Sequence, residues 1–251
     1  ENLETARAFI DQASAGGADM IALPENFSLM SETEHQRQAA AERVSEVEAM
    51  LSAAARDHGA VIIGGSTPLP APDGRVTNTC LVFDDQGRRI GRYDKIHLFD
   101  VSVSSSESYC ESRHIAPGNA PLALDVLGLT LGITICYDLR FPELYRHLAT
   151  AGAELFSIPS AFTVPTGRAH WHTLLRARAI ENLAWVIAPA QVGEHTSGRK
   201  TFGHSLIIDP WGGIVAECAG GPGVIFAHLD RDKAAQRRQQ FPALTHRVLD
   251  R

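Results

Sequence analysis

Short apolar runs alternate with Ala-rich helical stretches from one end of this chain to the other, and one helix-to-strand junction occurs twice. GADMIALPENF at 17–27 aligns without gaps to GAELFSIPSAF at 152–162. Each copy reads Gly-Ala, an acidic residue, four largely apolar residues, Pro, two residues, Phe, and each follows an Ala-rich helical stretch. Two readings are open. Either one kind of connection is used twice independently, or the chain is two related halves whose sheets face each other. The second reading puts Glu25 and Ser160 at matching strand ends.

The remaining pattern fits the same class. The opening helix stops at Gly16-Gly17, and a buried strand over 20–23 is closed by Pro24. A helix is expected over 34–57, then a strand from 60 running into a Gly-rich turn. An apolar strand, a DDQG turn and a return strand make a hairpin over 77–95. Residues 100–121 read as a Ser-rich polar loop, and a loop that long in a compact domain is often functional. Beyond it Leu127, Leu129, Leu131, Ile133 and Ile135 alternate along one strand. A helix with Pro142 in its first turn follows, then a strand over 154–159, a helix over 170–182 and a strand over 184–190. Two strands around DPWG and a last strand over 223–230 complete the order. Interleaved strands and helices with hairpins among them imply an α/β layered fold with mixed sheets.

Composition removes several function classes. The 251 residues are 44% hydrophobic, enough for one large globular domain or two small ones with a substantial core. Net charge is −6 and the basic residues are scattered, so no footprint for nucleic acid or an anionic membrane is seen. Apolar runs fall well short of the roughly 20 residues of a membrane-spanning helix. Cys80, Cys110, Cys136 and Cys218 lack CxxC spacing, which argues against zinc knuckles and a disulfide scaffold and for reduced thiols in a cytoplasm. The eleven histidines contain no HExxH motif, so no metal is expected. The chain opens without Met inside a helix, and an upstream segment is expected.

Four residues are candidates for chemistry, each with a plainer alternative. Cys136 ends an apolar strand and enters a turn, where unpaired N–H groups favour a thiolate and can receive an oxyanion. A packed core cysteine is the plainer reading. Glu25 follows Leu-Pro at the end of a buried strand, where a carboxylate is costly unless paired; otherwise it is a solvated strand-end residue. Lys95 leads from the hairpin into the polar loop, as a surface charge or as a site residue. Glu111 lies within that loop, as a turn or capping group or as part of a site.

Taken together and in order, LPENF, YDKIHLFDV, CESRHIAPG, GITICYDLRFPELYR, PSAFTVPTGRAHWHTLLRARAIEN and GHSLIIDPWG closely resemble the motifs of the nitrilase superfamily of carbon–nitrogen hydrolases. The likeness runs over essentially the whole chain and leans towards the Nit-type amidases, among them ω-amidases and deaminated glutathione amidases. It implies a single domain over 1–251, a four-layer αββα sandwich of two mixed sheets with helices outside, with the family's first strand missing from this chain. It further implies a homodimer or higher homo-oligomer, no cofactor, and a small-molecule amide as partner.

By position, the resemblance implies a Glu25–Lys95–Cys136 triad supported by Glu111. Cys136 attacks the amide carbon, Glu25 moves the protons, and Lys95 with the N–H of Tyr137 holds the oxyanion. Arg140 is either the partner of a substrate carboxylate or a salt bridge that fixes the turn. Thr166 and His170 fall in the segment that the family places near the pocket mouth, and Trp171 is either there or a core anchor. His172 departs from the family's usual Glu. Rival readings on the same fold are a nitrilase, an N-carbamoyl amidohydrolase or a non-catalytic relative.

Overall fold

The computed structural model describes residues 1–31, 33–103, 107–196 and 198–249. Helix α1 (Asn2–Ala15) buries Ala6, Ile10 and Ala13 and hands over to strand β1 (Met20–Ala22). The expected helix over 34–57 is two helices, α2 (Glu34–Glu42) and α3 (Val44–His58), broken at Arg43. The break has a packing cause. Ala41 of α2 joins a small core with Val76 and Ile115, whereas Val47, Leu51, Ala54 and Ala55 of α3 join α1 over a sheet. One straight axis does not serve both faces. A capping box between Thr33 and Gln36 starts α2.

Strands β2 (Val61–Ile63), β3 (Thr67–Pro70), β4 (Val76–Phe83) and β5 (Arg89–Asp94) complete the first sheet, in order β1-β2-β4-β3 with β5 also paired to β4. Strands β1 and β2 run parallel; β4 and β5 form the expected hairpin. The polar loop is less irregular than its composition suggests. It holds a small hairpin, β6 (Asp100–Ser102) with β7 (Ser108–Cys110).

The second sheet is built from β8 (Leu122–Val126), β9 (Leu129–Ile133), β10 (Leu155–Ser157), β11 (Trp185–Ala188), β14 (Ser205–Ile208) and β15 (Ile214–Cys218), in order β15-β14-β11-β10-β9-β8. Between them lie α4 (Pro142–Thr150), α5 (Val164–Asn182) and the short pair β12 (Val192–Glu194) and β13 (Lys200–Phe202). Helix α6 (Arg231–Gln240) comes last.

Three expectations are corrected. Leu127 is not a strand residue: with φ of 49° it forms, with Gly128 at 75°, the two-residue turn between β8 and β9. Positive φ at both central residues matches the right-handed twist of the flanking strands, and Leu127 is left exposed. Helix α5 starts before 170, because Thr163 caps it and Pro165 fits its first turn. Residues 223–230 join no sheet among the described residues.

Period-2 alternation sorts the layers. Ile62, Leu81 and Phe83 pack on α1 and α3, while Val61, Ile63, Cys80 and Val82 share a core with Leu131 and Ile133 of the second sheet. The second sheet's far side meets α4 and α5 through Tyr145, Leu148, Trp171 and Leu175. Gly132 suits the tight packing there, since a Cβ would stand 3.0 Å from Phe156 and 3.1 Å from Leu148 and those side chains would have to shift. The result is the four-layer αββα sandwich. Both repeat copies sit alike in it: Gly17 and Gly152 have positive φ, and β1 pairs parallel with β2 as β10 does with β11.

Candidate active site

Cys136 stands where the chain leaves β9 and tightens into a 3-10 turn over Cys136–Arg140. Its φ of 47° is unusual for a residue with a Cβ and stores strain of about 1–2 kcal/mol. Its N–H donates to the carbonyl of Pro159 at 2.9 Å. The turn is held from below by Asp138, which is completely buried. Its carboxylate accepts from Tyr93 Oη at 2.7 Å, Ile135 N at 2.8 Å and His97 N at 3.0 Å, and lies 2.7 Å from His97 Nδ1. Burial first, then the Asp138 charge, drives the Tyr93 hydroxyl far above its ordinary value, so it remains a donor. Arg178 adds two hydrogen bonds to the carbonyl of Leu139, at 3.0 and 2.7 Å.

Glu25 follows β1 and Lys95 follows β5, each only 2% exposed. Lys95 Nζ lies 2.9 Å from Glu25 Oε1 and 2.9 and 3.1 Å from the two oxygens of Glu111. Asn78 Nδ2 donates to Glu25 at 2.9 Å, and the N–H of Phe99 donates to Glu111 at 2.7 Å. Burial on its own lowers the Lys95 ammonium from its ordinary value. The charges of Glu111 and Glu25 outweigh it and hold the ammonium above its ordinary range. Two carboxylates around one ammonium leave the cluster one negative charge in excess.

That charge shapes the thiol. Burial, and next to it Glu25, pushes the Cys136 thiol well up, while Lys95 and the N–H of Ala161 pull the other way. The Cys136 thiol therefore holds its proton more tightly than an ordinary cysteine, with the Glu25 carboxylate beside it. Sequence reasoning missed Asn78 and Asp138. Their signals were a polar Thr-Asn-Thr inside an apolar strand and an Asp two residues after the cysteine.

A cavity of about 190 Å³ opens onto this cluster, lined by Glu25, Lys95, Glu111 and Cys136. Tyr137, Arg140 and Thr166 line it as well. His170 stands outside this lining, with its Nδ1 3.2 Å from Arg140 Nη1. Arg140 lies over the rings of Tyr137 and Phe162 at 5.8 and 5.4 Å, and among the described residues no carboxylate is paired with it. Trp171 is a core anchor, fully buried with its indole N–H on the carbonyl of His204 at 2.7 Å. Two further guanidinium groups face the cavity, from Arg37 on α2 and Arg199 before β13. Arg37 Nη1 is buried without a hydrogen-bond partner among the described residues. Neither arginine carried a local signal, because each reaches the cavity only through the packing of distant elements.

Comparison with known proteins identifies the family. Residues 1–239 match the family model described as carbon-nitrogen hydrolase. The chain is 44% identical over 254 residues to a deaminated glutathione amidase of Synechocystis, covering 99% of this chain and 93% of that protein. It is 33% identical to human omega-amidase NIT2, covering 100% and 90% respectively. The crystal structure of the C. elegans NitFhit protein superposes with a TM-score of 0.93 at 36% identity, over 98% of this chain and 61% of that one. The sandwich with its buried cysteine, lysine and glutamates, together with these matches, makes this chain a member of the carbon–nitrogen hydrolase family, in the nitrilase superfamily, and an enzyme that hydrolyses carbon–nitrogen bonds of amides.

Proposed function

We propose that the enzyme is a cysteine-dependent amidohydrolase for a small amide that carries a carboxylate, working through a thioester on Cys136. The observation that carries this reading is Lys95 Nζ bridging Glu25 and Glu111 beside the buried Cys136 thiol. Glu25 takes the Cys136 proton as sulfur bonds to the amide carbon. Lys95 and the N–H of Tyr137 stabilise the oxyanion, each such donor contributing roughly 3–4 kcal/mol. The carbon–nitrogen bond then breaks as Glu25 returns its proton to nitrogen, and ammonia leaves. Water gives a proton to Glu25 and attacks the thioester; the carbon–sulfur bond breaks, and the thiol is restored. Glu111 keeps Lys95 in place and charged.

The cavity favours an anionic acyl group. Arg37, Arg140 and Arg199 converge on it, and the Nη1 of Arg37 is a donor lacking an acceptor among the described residues. A carboxylate satisfies such a group in a bidentate fork. Deaminated glutathione and the ω-amide of a keto acid both carry one and are the substrates of choice, in line with the two amidase relatives. Ammonia release from deaminated glutathione, α-ketoglutaramate and a simple nitrile, measured side by side, tests this. Release from either amide and none from the nitrile is expected; turnover of the nitrile alone overturns it.

The whole of 1–251 acts as one catalytic domain in this reading, since residues of both sheets share one core. Its four thiols are free, which suits a cytoplasmic setting. Homo-oligomerisation is supported by exposed Ile180, Trp211 and Phe241 on the helical side, with the last two rings meeting edge-on at 5.6 Å. Light scattering on the eluting protein checks it.

A further inference from the structure

His172, the residue that departs from the family's usual Glu, does not face the cavity. It points from α5 to the β14–β15 hairpin, where His204 precedes β14 and Glu217 lies on β15. His172 Nε2 is 2.9 Å and His204 Nδ1 2.6 Å from the same oxygen, Glu217 Oε1. All three ligand-type atoms fall within 4.8 Å of one another. Histidine spacing hid this. The sequence does contain one H-x-H pair, His170 and His172, but residues two apart on a helix face different ways, and only His172 joins the cluster.

The three side chains are rigidly mounted. The His204 ring stacks on Phe202 at 4.2 Å, and His172 meets Phe202 edge-on at 6.2 Å. Trp171, buried beside His172, fixes the backbone of His204 through its indole N–H. Glu217 sits opposite Leu206 in the β14–β15 ladder. Ligands supplied by a helix, a strand and a pinned turn hold their positions better than ligands on loops.

We propose that His172 Nε2, His204 Nδ1 and Glu217 Oε1 bind one divalent first-row metal ion of the zinc type, clasping α5 to the β14–β15 hairpin away from the catalytic cluster. Two imidazoles and a carboxylate suit such an ion, with bonds of about 2.0–2.2 Å and a water in the open position. A hard ion such as Ca²⁺ wants six or more oxygens and is poorly served here. On binding, each neutral ring places its proton on the nitrogen away from the metal. Since α5 also carries Thr166 to the cavity wall, the ion would stiffen the element that bounds the substrate.

The test uses untagged, EDTA-treated protein in a Cys136→Ala background, so that the active-site thiol takes no metal. Zn²⁺ is titrated by calorimetry, and Co²⁺ is followed by its visible absorption. One equivalent is expected, with a rise in Tm that follows mass action. His172→Ala and Glu217→Gln should each weaken binding by at least the roughly 10–100-fold that loss of an outer-shell partner costs. His58→Ala, on α3 over the first sheet, should bind like the parent. His204→Asn provides a further ligand deletion that tolerates positive φ, and circular dichroism verifies folding of each variant. Absence of a one-equivalent site, or undiminished affinity in folded His172→Ala and Glu217→Gln, overturns the proposal.

Discussion

Residues 17–27 and 152–162 leave a helix through the same left-handed glycine and enter a parallel strand in the same way, yet their ends do different work. In the first copy Glu25 meets Lys95 and Asn78. In the second, the matching Ser160 turns its hydroxyl back to the carbonyl of Ile158 at 3.0 Å, and the next residue, Ala161, offers its N–H to the Cys136 sulfur. One copy delivers a charge and the other a backbone donor. The thiol lies between them. A repeated connection thus fixes where two strand ends stop, and the side chains placed there decide the chemistry.

The comparison is broken most completely at the point where the copies meet. Cys136→Ala should reduce ammonia release to background while circular dichroism stays unchanged; retained turnover would place the chemistry elsewhere. Glu25→Gln should lower kcat by roughly 10²–10⁴-fold, the usual share of a general acid–base group. Its counterpart Ser160→Ala should cost only about 1 kcal/mol of stability, one hydrogen bond's worth, with kcat nearly intact. Equal losses from the two would show that Glu25 acts by packing alone.

Charge sharpens the contrast next. Lys95→Met leaves Glu25 and Glu111 facing each other without a cation, and breaking a buried pair in this way costs about 3–5 kcal/mol. Denaturant midpoints measure it. Arg37→Gln tests the outer end of the cavity: KM for a carboxylate-bearing amide should rise about 10-fold or more, as expected for a hydrogen bond to a charged group of about 1.5–3 kcal/mol. A neutral amide should respond far less.

Cys80, which shares a core with Cys136, resists ionisation as well. Burial pushes the Cys80 thiol up to about 12, while in the unfolded chain a thiol titrates near about 8.5. The native state therefore retains a proton that the unfolded state releases. The stability this provides is complete below about pH 8.5 and is lost as pH rises towards 12. Urea midpoints from pH 7 to 10 should fall, and the fall should be shallower in Cys80→Val, where no proton is at stake.

Much of the fold was legible because it rests on neighbours in sequence. The strand expected over 20–23, the DDQG hairpin and Pro142 at a helix start follow from periodicity and turn residues. Leu127 misled because its side chain continued the period-2 pattern, while its backbone and that of Gly128 were committed to a turn. The helix over 34–57 broke because two separate cores claim its two ends. The segment 223–230 has a strand's composition, and composition does not supply a partner with a free edge.

Within the site, Glu25, Lys95, Glu111 and Cys136 were nominated from motifs, and packing brought all four together. Asn78, Asp138, Arg37 and the His172–His204–Glu217 cluster were not. By itself the sequence determined the alternation of strands and helices, the strand-end placement of the cysteine and the duplicated junction, since each follows from backbone preferences over a few residues. The tertiary structure alone decided that Lys95 is shared between two carboxylates, that Arg37 reaches the cavity and that His172 faces away from it. Those outcomes depend on how two sheets stack and helices cross. That geometry is set by the summed packing of the whole core and cannot be read from any short stretch of chain.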